Sequence, residues 1–333
     1  MSAEARPVVV SGIQPNGSLH LGNYIGALSY WVDNQTNYHN YLFLADLHAL
    51  TIPEEITAAE LRRNVREAAA LYLAAGIDPD DSTIFLQSAV PAHAYLGWIM
   101  TCFAPLGWLE RMTQFKSKSK GRSGVGAGVL TYPALQAADI LLYDADFVPV
   151  GDDQKQHVEL ARDLAQRVNG MFGDCLKVPQ PLIRASGARV MGLDDATEKM
   201  SKSLAVGRPG HAVGMLDDAD TIRRKLRAAK TDPGNEARFD SAGPGVKNLL
   251  TIYEVLTREP RAAIEEKFHG KGYKLLKDEV AEAIIVALGP VQQRYRALMQ
   301  DPAHVDAILA RGAERAGEVA ERTLARVRDR LGL

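Results

Sequence analysis

Val8-Val9-Val10 is a β-branched run that stops at Ser11-Gly12, the pattern of a buried strand entering a turn. From Leu21 to Val32 the apolar residues Leu21, Tyr24, Ile25, Leu28, Trp31 and Val32 share one helical face. Tyr41-Leu42-Phe43-Leu44-Ala45 reads as a second strand. A helix from about Thr57 to Ala75 follows, with Leu61, Val65, Ala68 and Tyr72 inward. Ile84-Phe85-Leu86 predicts a third strand, and helices are expected from near His93 and from about Val129 to Tyr143. The fourth strand, Phe147-Val148-Pro149-Val150, holds a residue that cannot donate to a ladder, so it is expected at the end or edge of a sheet. Strands alternating with helices predict an α/β, doubly wound parallel sheet. Beyond about residue 206 the pattern is helical: Asp220 to Ala229, Gly245 to Leu256, Leu275 to Leu288, Val291 to Met299, and Ala303 to Leu331. The chain is therefore expected to divide into an α/β domain, 1–206, and a smaller α-helical domain, 207–333.

Composition narrows the classes open to such a chain. Its 333 residues, 46% apolar, suffice for a sizeable core and favour two domains. With 39 basic and 41 acidic side chains the net charge is −2, which argues against holding nucleic acid by bulk positive charge and leaves room for a local patch. Cys102 and Cys175 are too few for a disulfide framework or a four-thiolate zinc site, which points to a reducing compartment. No apolar run approaches the roughly 20 residues of a membrane span, and Met1 to Pro7 is short and polar. A soluble, cytoplasmic protein without a membrane partner is expected. The segment Lys116 to Gly124, rich in Lys and Ser, is expected to be mobile.

Two polar stretches carry candidate chemistry. The connection from Ser11 to Asn23 ends at a helix N-terminus, where free backbone N–H groups and the helix dipole favour an anion. It puts His20 and Asn23 in the first turn, with Gly22 allowing close approach to the backbone. Far along the chain, Lys199-Met200-Ser201-Lys202-Ser203 sets two lysines three apart in a polar loop, able to reach one polyphosphate. Either stretch alone is as well explained by an ordinary loop or a solvated charge run.

Taken together they resemble class I aminoacyl-tRNA synthetases. His20-Leu21-Gly22-Asn23 is similar to that family's HIGH element, with Asn23 where a second histidine would stand, and Lys199 to Ser203 matches its KMSKS loop. The resemblance narrows to the bacterial tryptophanyl-tRNA synthetases through Ser11 to Pro15, Gly22 to Leu28, Gln87-Ser88 with Val90-Pro91-Ala92-His93, and Glu110 to Lys116. Ala137 to Tyr143, Pro244-Gly245 with Asn248-Leu249-Leu250, and Gly270 to Tyr273 extend it. It implies a Rossmann-like nucleotide-binding domain with a helical tRNA-anticodon domain, and a homodimer. The implied reaction joins L-tryptophan to ATP, supplied with Mg²⁺, and then to tRNA(Trp); no resident metal is implied.

That chemistry needs positioning and charge stabilisation more than a general base, because the amino acid brings its own carboxylate nucleophile. Gln14, Pro15, Asn16, Gly22 and Asn23 with His20 suit the ATP phosphates and ribose, and Lys199, Lys202 and Lys118 the leaving pyrophosphate. Met200, Ser201 and Ser203 complete the loop. By resemblance Gly151 and Asp152 bind ATP and Asp153 faces its ribose, Val190 contacts adenine through its backbone, and Gln154 and Tyr132 meet the amino group. Asp152 is also read as a helix N-cap.

For the side-chain pocket the resemblance supplies Asp139, Gln136, His48 and Val10. Asp139 lies in an otherwise apolar helix, where a carboxylate is expensive unless paired. An indole N–H is a natural donor to it, and a cap or partnership with Arg111 is the other reading. Gln136 stands where bacterial tryptophanyl enzymes commonly have methionine, and Val10 where some have phenylalanine. A glutamine three residues before this aspartate resembles archaeal tyrosyl-tRNA synthetases, and a phenol can donate to Asp139 too. Leu204-Ala205-Val206-Gly207 replaces the more usual Asp-Pro-Asn after the lysine loop. Arg223, Arg224, Lys225, Arg227 and Lys230 form a candidate RNA patch.

Overall fold

The structure, a computed structural model, describes residues 6–15, 17, 19–113, 124–151, 155–183, 189–234 and 236–333. Its centre is a sheet of five parallel strands, β1 (Val8–Ile13), β2 (His39–Leu44), β3 (Ser82–Leu86), β4 (Phe147–Val150) and β5 (Gln180–Ile183). Their order, β3-β2-β1-β4-β5, reverses between β1 and β4, the doubly wound arrangement that the alternation predicts. β1 and β2 stay in register from Val8 opposite His39 to Ile13 opposite Leu44. β1 and β4 meet only at Val9 opposite Phe147 and then part.

β4 is not the edge strand that its proline suggests. It lies between β1 and β5. The Gln180 N–H donates to the Asp146 carbonyl at 2.9 Å, so even-numbered residues of β4 turn their backbone groups to β5 and odd-numbered ones to β1. The donor that Pro149 lacks would thus point at β1 where the ladder has already ended. β5 escapes a reading of sequence pattern because Pro179 and Pro181 break its apolar run.

The helix after the first loop is α1 (Leu21–Asn23), a π turn over Tyr24–Leu28, and α2 (Ser29–Asn34). α3 (Asp46–Ala49) follows β2. α4 (Ala58–Ala75) starts at a reciprocal cap, where Thr57 N–H donates to Glu60 Oε2 at 2.9 Å and Glu60 N–H to Thr57 Oγ1 at 3.3 Å. It ends at Gly76, with φ 110. Next come α5 (Ala92–Phe103), α6 (Leu106–Glu110), α7 (Ala127–Leu141), α8 (Lys155–Phe172) and α9 (Lys202–Gly207). The helical part holds α10 (Ala219–Ala228), α11 (Pro244–Thr257), α12 (Arg261–Phe268), α13 (Gly272–Gln300) and α14 (Pro302–Leu331). α13 fuses the two helices expected around Pro290, since Leu288 and Val291 both remain buried on one continuous face.

Alternate strand residues face two apolar cores. Leu42, Leu44 and Ile84 join α4 and much of the helical part, while Val10, Phe43 and Phe85 join α5, α7 and α8. α14 spans both, giving Val305 and Leu309 to the first and Ala316, Ala320, Leu324 and Val327 to the second. Between them Gly312 lies against edge strand β3, so close that a methyl there would sit 1.8 Å from the Ile84 carbonyl oxygen. Among the described residues, no helix is long and apolar enough to cross a membrane.

Candidate active site

Where β1 and β4 part, a cavity of about 370 Å³ opens at the carboxyl ends of the strands. Val10 and Gly12 form part of its floor, and Val148, Pro149 and Val150 its far wall. Phe43, His48, Tyr132, Gln136 and Asp139 project into it, bringing together every residue expected of the side-chain pocket. Gly12 is required there, because a Cβ would stand 2.6 Å from the Phe43 ring.

Asp139 is 1% exposed and held by three side chains rather than by Arg111. Its Oδ1 accepts from Gln87 Nε2 at 2.7 Å and pairs with His93 Nδ1 at 2.6 Å, and its Oδ2 pairs with His48 Nε2 at 2.7 Å. Burial alone would push the carboxyl up. The His48 imidazole beside it, with hydrogen bonds from His48 and His93, outweighs that and brings it to about 2. Tyr132 reaches His157 Nε2 at 3.0 Å through its hydroxyl, and burial pushes its phenol up to about 12. Gln14 lines the cavity mouth and donates from Nε2 to the His48 carbonyl at 2.7 Å.

The two candidate phosphate elements also come together. The His20 N–H donates to Asn23 Oδ1 at 3.0 Å, closing the first turn of α1. Leu21 N–H donates to Val213 O at 2.8 Å and Met215 N–H to Leu19 O at 2.9 Å, which stitches this loop to the strand-like segment after the lysine loop. A Cβ on Gly22 would lie 3.0 Å from the His20 ring and 3.6 Å from Met200 Cβ. Met191 and Lys199 form an antiparallel bridge, and Met200 N–H donates to the Val190 carbonyl at 3.1 Å. Asn248 of α11 clasps Met191 by accepting from its N–H at 2.9 Å and donating to its carbonyl at 3.0 Å.

Beneath the lysine loop lies a polar clamp. Asp194 Oδ1 meets His211 Nδ1 at 2.7 Å and its Oδ2 accepts from Arg208 Nε at 2.6 Å, while Arg208 Nη1 also pairs with Glu198. His211 Nε2 lies 3.2 Å from the Lys199 carbonyl. Burial of Asp194 raises its carboxyl, and the hydrogen bonds from Arg208 and His211 override that, bringing it to about 2. The altered residues after Ser203 form α9, whose end places Arg208 in this clamp.

Asn16, Lys118, Asp152, Asp153 and Gln154 lie outside the described residues, as do the side chains of Lys202 and Ser203 and most of the segment from Lys116 to Gly124. Pro15 is buried beside the first loop, Gly151 is exposed at the end of β4, and Ser201 precedes α9. The candidate RNA patch is largely neutralised within the chain. Arg223 pairs with Glu282 at 2.7 Å, Lys225 with Asp217 at 2.7 Å and Arg227 with Asp278 at 3.7 Å.

Comparison with known proteins gives matches over nearly the whole chain. The family model described as tRNA synthetases class I (W and Y) covers residues 2–289. Tryptophan–tRNA ligase of Wolinella succinogenes is 48% identical over 326 residues, covering 98% of each chain. That of Bacillus subtilis is 47% identical over 331 residues, again with 98% of each covered. The chain belongs to the tryptophan–tRNA ligase family. Tryptophanyl-tRNA synthetase from Mycoplasma pneumoniae superposes with a TM-score of 0.90 at 37% identity, covering 98% of each chain. The Campylobacter jejuni synthetase, solved with ADP and tryptophan, gives 0.83 at 33% identity, covering 98% of this chain and 99% of that one. An Archaeoglobus fulgidus tyrosyl-tRNA synthetase, at 24% identity and a TM-score of 0.66, shares the fold. Family membership places the substrate question with tryptophan despite Gln136.

Gln87, His93 and Asn248 lie in segments that carry the resemblance, but the sequence assigns them no role, and it does not mark His157 or the Asp194–Arg208–His211 clamp at all. His93 is 0% exposed, and so is Gln87.

Proposed function

We propose that the cavity between β1 and β4 takes L-tryptophan, with Asp139 Oδ2 accepting the indole N–H. The observation that carries this reading is the state of that carboxylate. It lines the cavity, is ionised by its surroundings, and has two hydrogen bonds on Oδ1 but one on Oδ2. A carboxylate accepts up to about four, so one acceptor position on the cavity side is left for a ligand donor. Val10, Gln136 and His48 enclose the ring, and Tyr132 with Gln154 holds the amino group.

Membership of the family makes the reaction that of a tryptophan–tRNA ligase. The tryptophan carboxylate attacks the α-phosphate of ATP in line, pyrophosphate leaves, and the tryptophanyl group passes from the adenylate to the 3′ end of tRNA(Trp). ATP enters as its Mg²⁺ complex. In this reading His20, Asn23, Gln14, Pro15, Asn16 and Gly22 meet phosphates and ribose, Gly151 and Asp152 bind ATP, Asp153 faces the ribose, and Val190 meets adenine. Lys199 and Lys202 neutralise the charge that grows on the leaving pyrophosphate, Lys118 supplies a further phosphate contact, and Met200, Ser201 and Ser203 bind ATP. Residues 1–206 activate the amino acid and 207–333 read the anticodon. The enzyme works in the cytoplasm as a homodimer. Trp98 and Leu106, 69% and 60% exposed on neighbouring helices, supply the kind of apolar face such an interface buries.

Amino-acid-dependent ATP–pyrophosphate exchange with tryptophan, tyrosine and phenylalanine in parallel tests the reading. Exchange driven by tryptophan, with phenylalanine rejected strongly, is expected. Tyrosine as the preferred substrate would overturn it and give Gln136 the phenol.

A further inference from the structure

A second layer stands behind Asp139, formed by residues that do not line the cavity. His93, at the start of α5, is wholly buried between Phe43, Phe85 and Tyr143, with ring centroids 5.7, 5.9 and 5.6 Å away. One face of its imidazole meets Asp139 Oδ1 at 2.6 Å from Nδ1, and the other meets the Tyr143 hydroxyl at 2.7 Å from Nε2. Gln87 joins from the end of β3. Its Oε1 accepts the Leu47 N–H at 3.2 Å, which turns its amide N–H toward Oδ1 at 2.7 Å.

Proton accounting fixes the direction of this chain. An ionised Asp139 offers no hydrogen, so His93 must donate from Nδ1. The Tyr143 hydroxyl then gives its hydrogen to Nε2, and a single ring proton satisfies both ends. Two donors on Oδ1 complete that oxygen, leaving Oδ2, shared with His48, as the carboxylate oxygen able to accept from the cavity.

We propose that His93, oriented by Tyr143, is a positioning residue for tryptophan selection: it saturates Oδ1 of Asp139 from behind and holds Oδ2 toward the indole N–H. The inference rests on Asp139 being the indole acceptor. Tyr143 acts by anchoring the far side of the ring through Nε2. Without its hydroxyl the buried Nε2 lone pair has no donor and the ring is no longer fixed, which loosens the bond from Nδ1 to Oδ1.

The test compares kcat/KM in pyrophosphate exchange for tryptophan with that for β-(benzothiophen-3-yl)alanine, which keeps the ring shape and replaces the N–H by sulfur. The ratio of the two is insensitive to a general loss of folded enzyme. His93→Leu is expected to lower the ratio about tenfold, and Tyr143→Phe severalfold. His93→Asn keeps an N–H near the Nδ1 position and has no Nε2 for Tyr143 to anchor. It should therefore retain the wild-type ratio within about threefold, and Tyr143→Phe added to it should lower the ratio no further. Asp139→Asn serves as the reference. If that variant keeps the wild-type ratio, the assignment of the indole acceptor is wrong. If it loses the preference while Tyr143→Phe and His93→Leu keep it, the positioning role is wrong. Should His93→Leu fail to fold, Tyr143→Phe in the two backgrounds decides alone: equal losses in both overturn the proposal.

Discussion

Removing the His211 ring tests whether the clamp under the lysine loop governs phosphate chemistry. His211→Ala deletes a hydrogen bond to an ionised carboxylate, worth about 1.5–3 kcal/mol, and one to the Lys199 carbonyl, worth about 0.5–1.5 kcal/mol. Asp194 keeps Arg208, so no buried charge is orphaned and the loss should stay at about 2–4 kcal/mol. The backbone held at Lys199 belongs to the lysine loop, so that energy is withdrawn from the loop conformation that presents its lysines. Even 2 kcal/mol lost from the transition state lowers the activation rate by roughly 30-fold. The tryptophan cavity is lined by residues of the other core, such as Val10 and Phe43, so KM for tryptophan should hold. Pyrophosphate exchange with ATP and tryptophan varied separately measures both quantities. A double-mutant cycle with Asp194→Asn should give a coupling of about 1 kcal/mol or more. The Asp194 carboxyl is brought from 3.8 to about 2 in the folded chain, so its contribution is complete above 3.8 and lost as pH falls toward 2. The ratio of variant to parent, as far as Asp194 sets it, is therefore flat between about pH 6 and 9. Unchanged ATP kinetics, or a tryptophan KM raised as much as that for ATP, would refute the reasoning.

Further outcomes follow from other parts of the molecule. Lys202→Ala should lower the activation rate far more than it weakens tryptophan binding, because the charge it meets peaks in the transition state; stopped-flow adenylate formation beside equilibrium tryptophan binding separates the two. Trp98→Glu should convert a dimer to monomer in sedimentation at micromolar concentration, and an active parent already monomeric there contradicts the interface. Gly312→Ala should cost about 3 kcal/mol or prevent folding, since its methyl meets a strand carbonyl that cannot yield; an unshifted urea midpoint would contradict that packing.

What was legible in the sequence follows from how locally each feature is encoded. Alternation and apolar runs disclose β1 to β4, because β1, β2 and β3 give apolar side chains to both cores and β4 gives Val148 and Val150 to one. β5 was hidden by two prolines, and the placement of β4 depended on where β1 turns away, which no residue of β4 records. Asp139 stood out as a carboxylate among alanines and leucines. His48 is supplied by the resemblance as a pocket residue, but its bond to Asp139 and the roles of Gln87 and His93 are not, because the three come from separate elements and meet only when the sheet closes. The clamp was still less visible, being made of charged residues that look solvated in sequence and acquire their roles from α9 and the return of the chain at His211.

The passage of α14 across β3 has a consequence for the protein while it is being made. The strands are synthesised early, and β3 stands at the rim of the sheet with unpaired backbone groups until a helix encoded long afterwards arrives to cover it. Chain elongation at about 5–20 residues per second leaves that rim bare for many seconds on the ribosome. A bare rim is a template for pairing with another nascent chain. Ribosome spacing, chaperone capture and translation speed downstream of β3 therefore bear on yield, and slowing elongation after residue 86 should increase aggregation rather than aid folding.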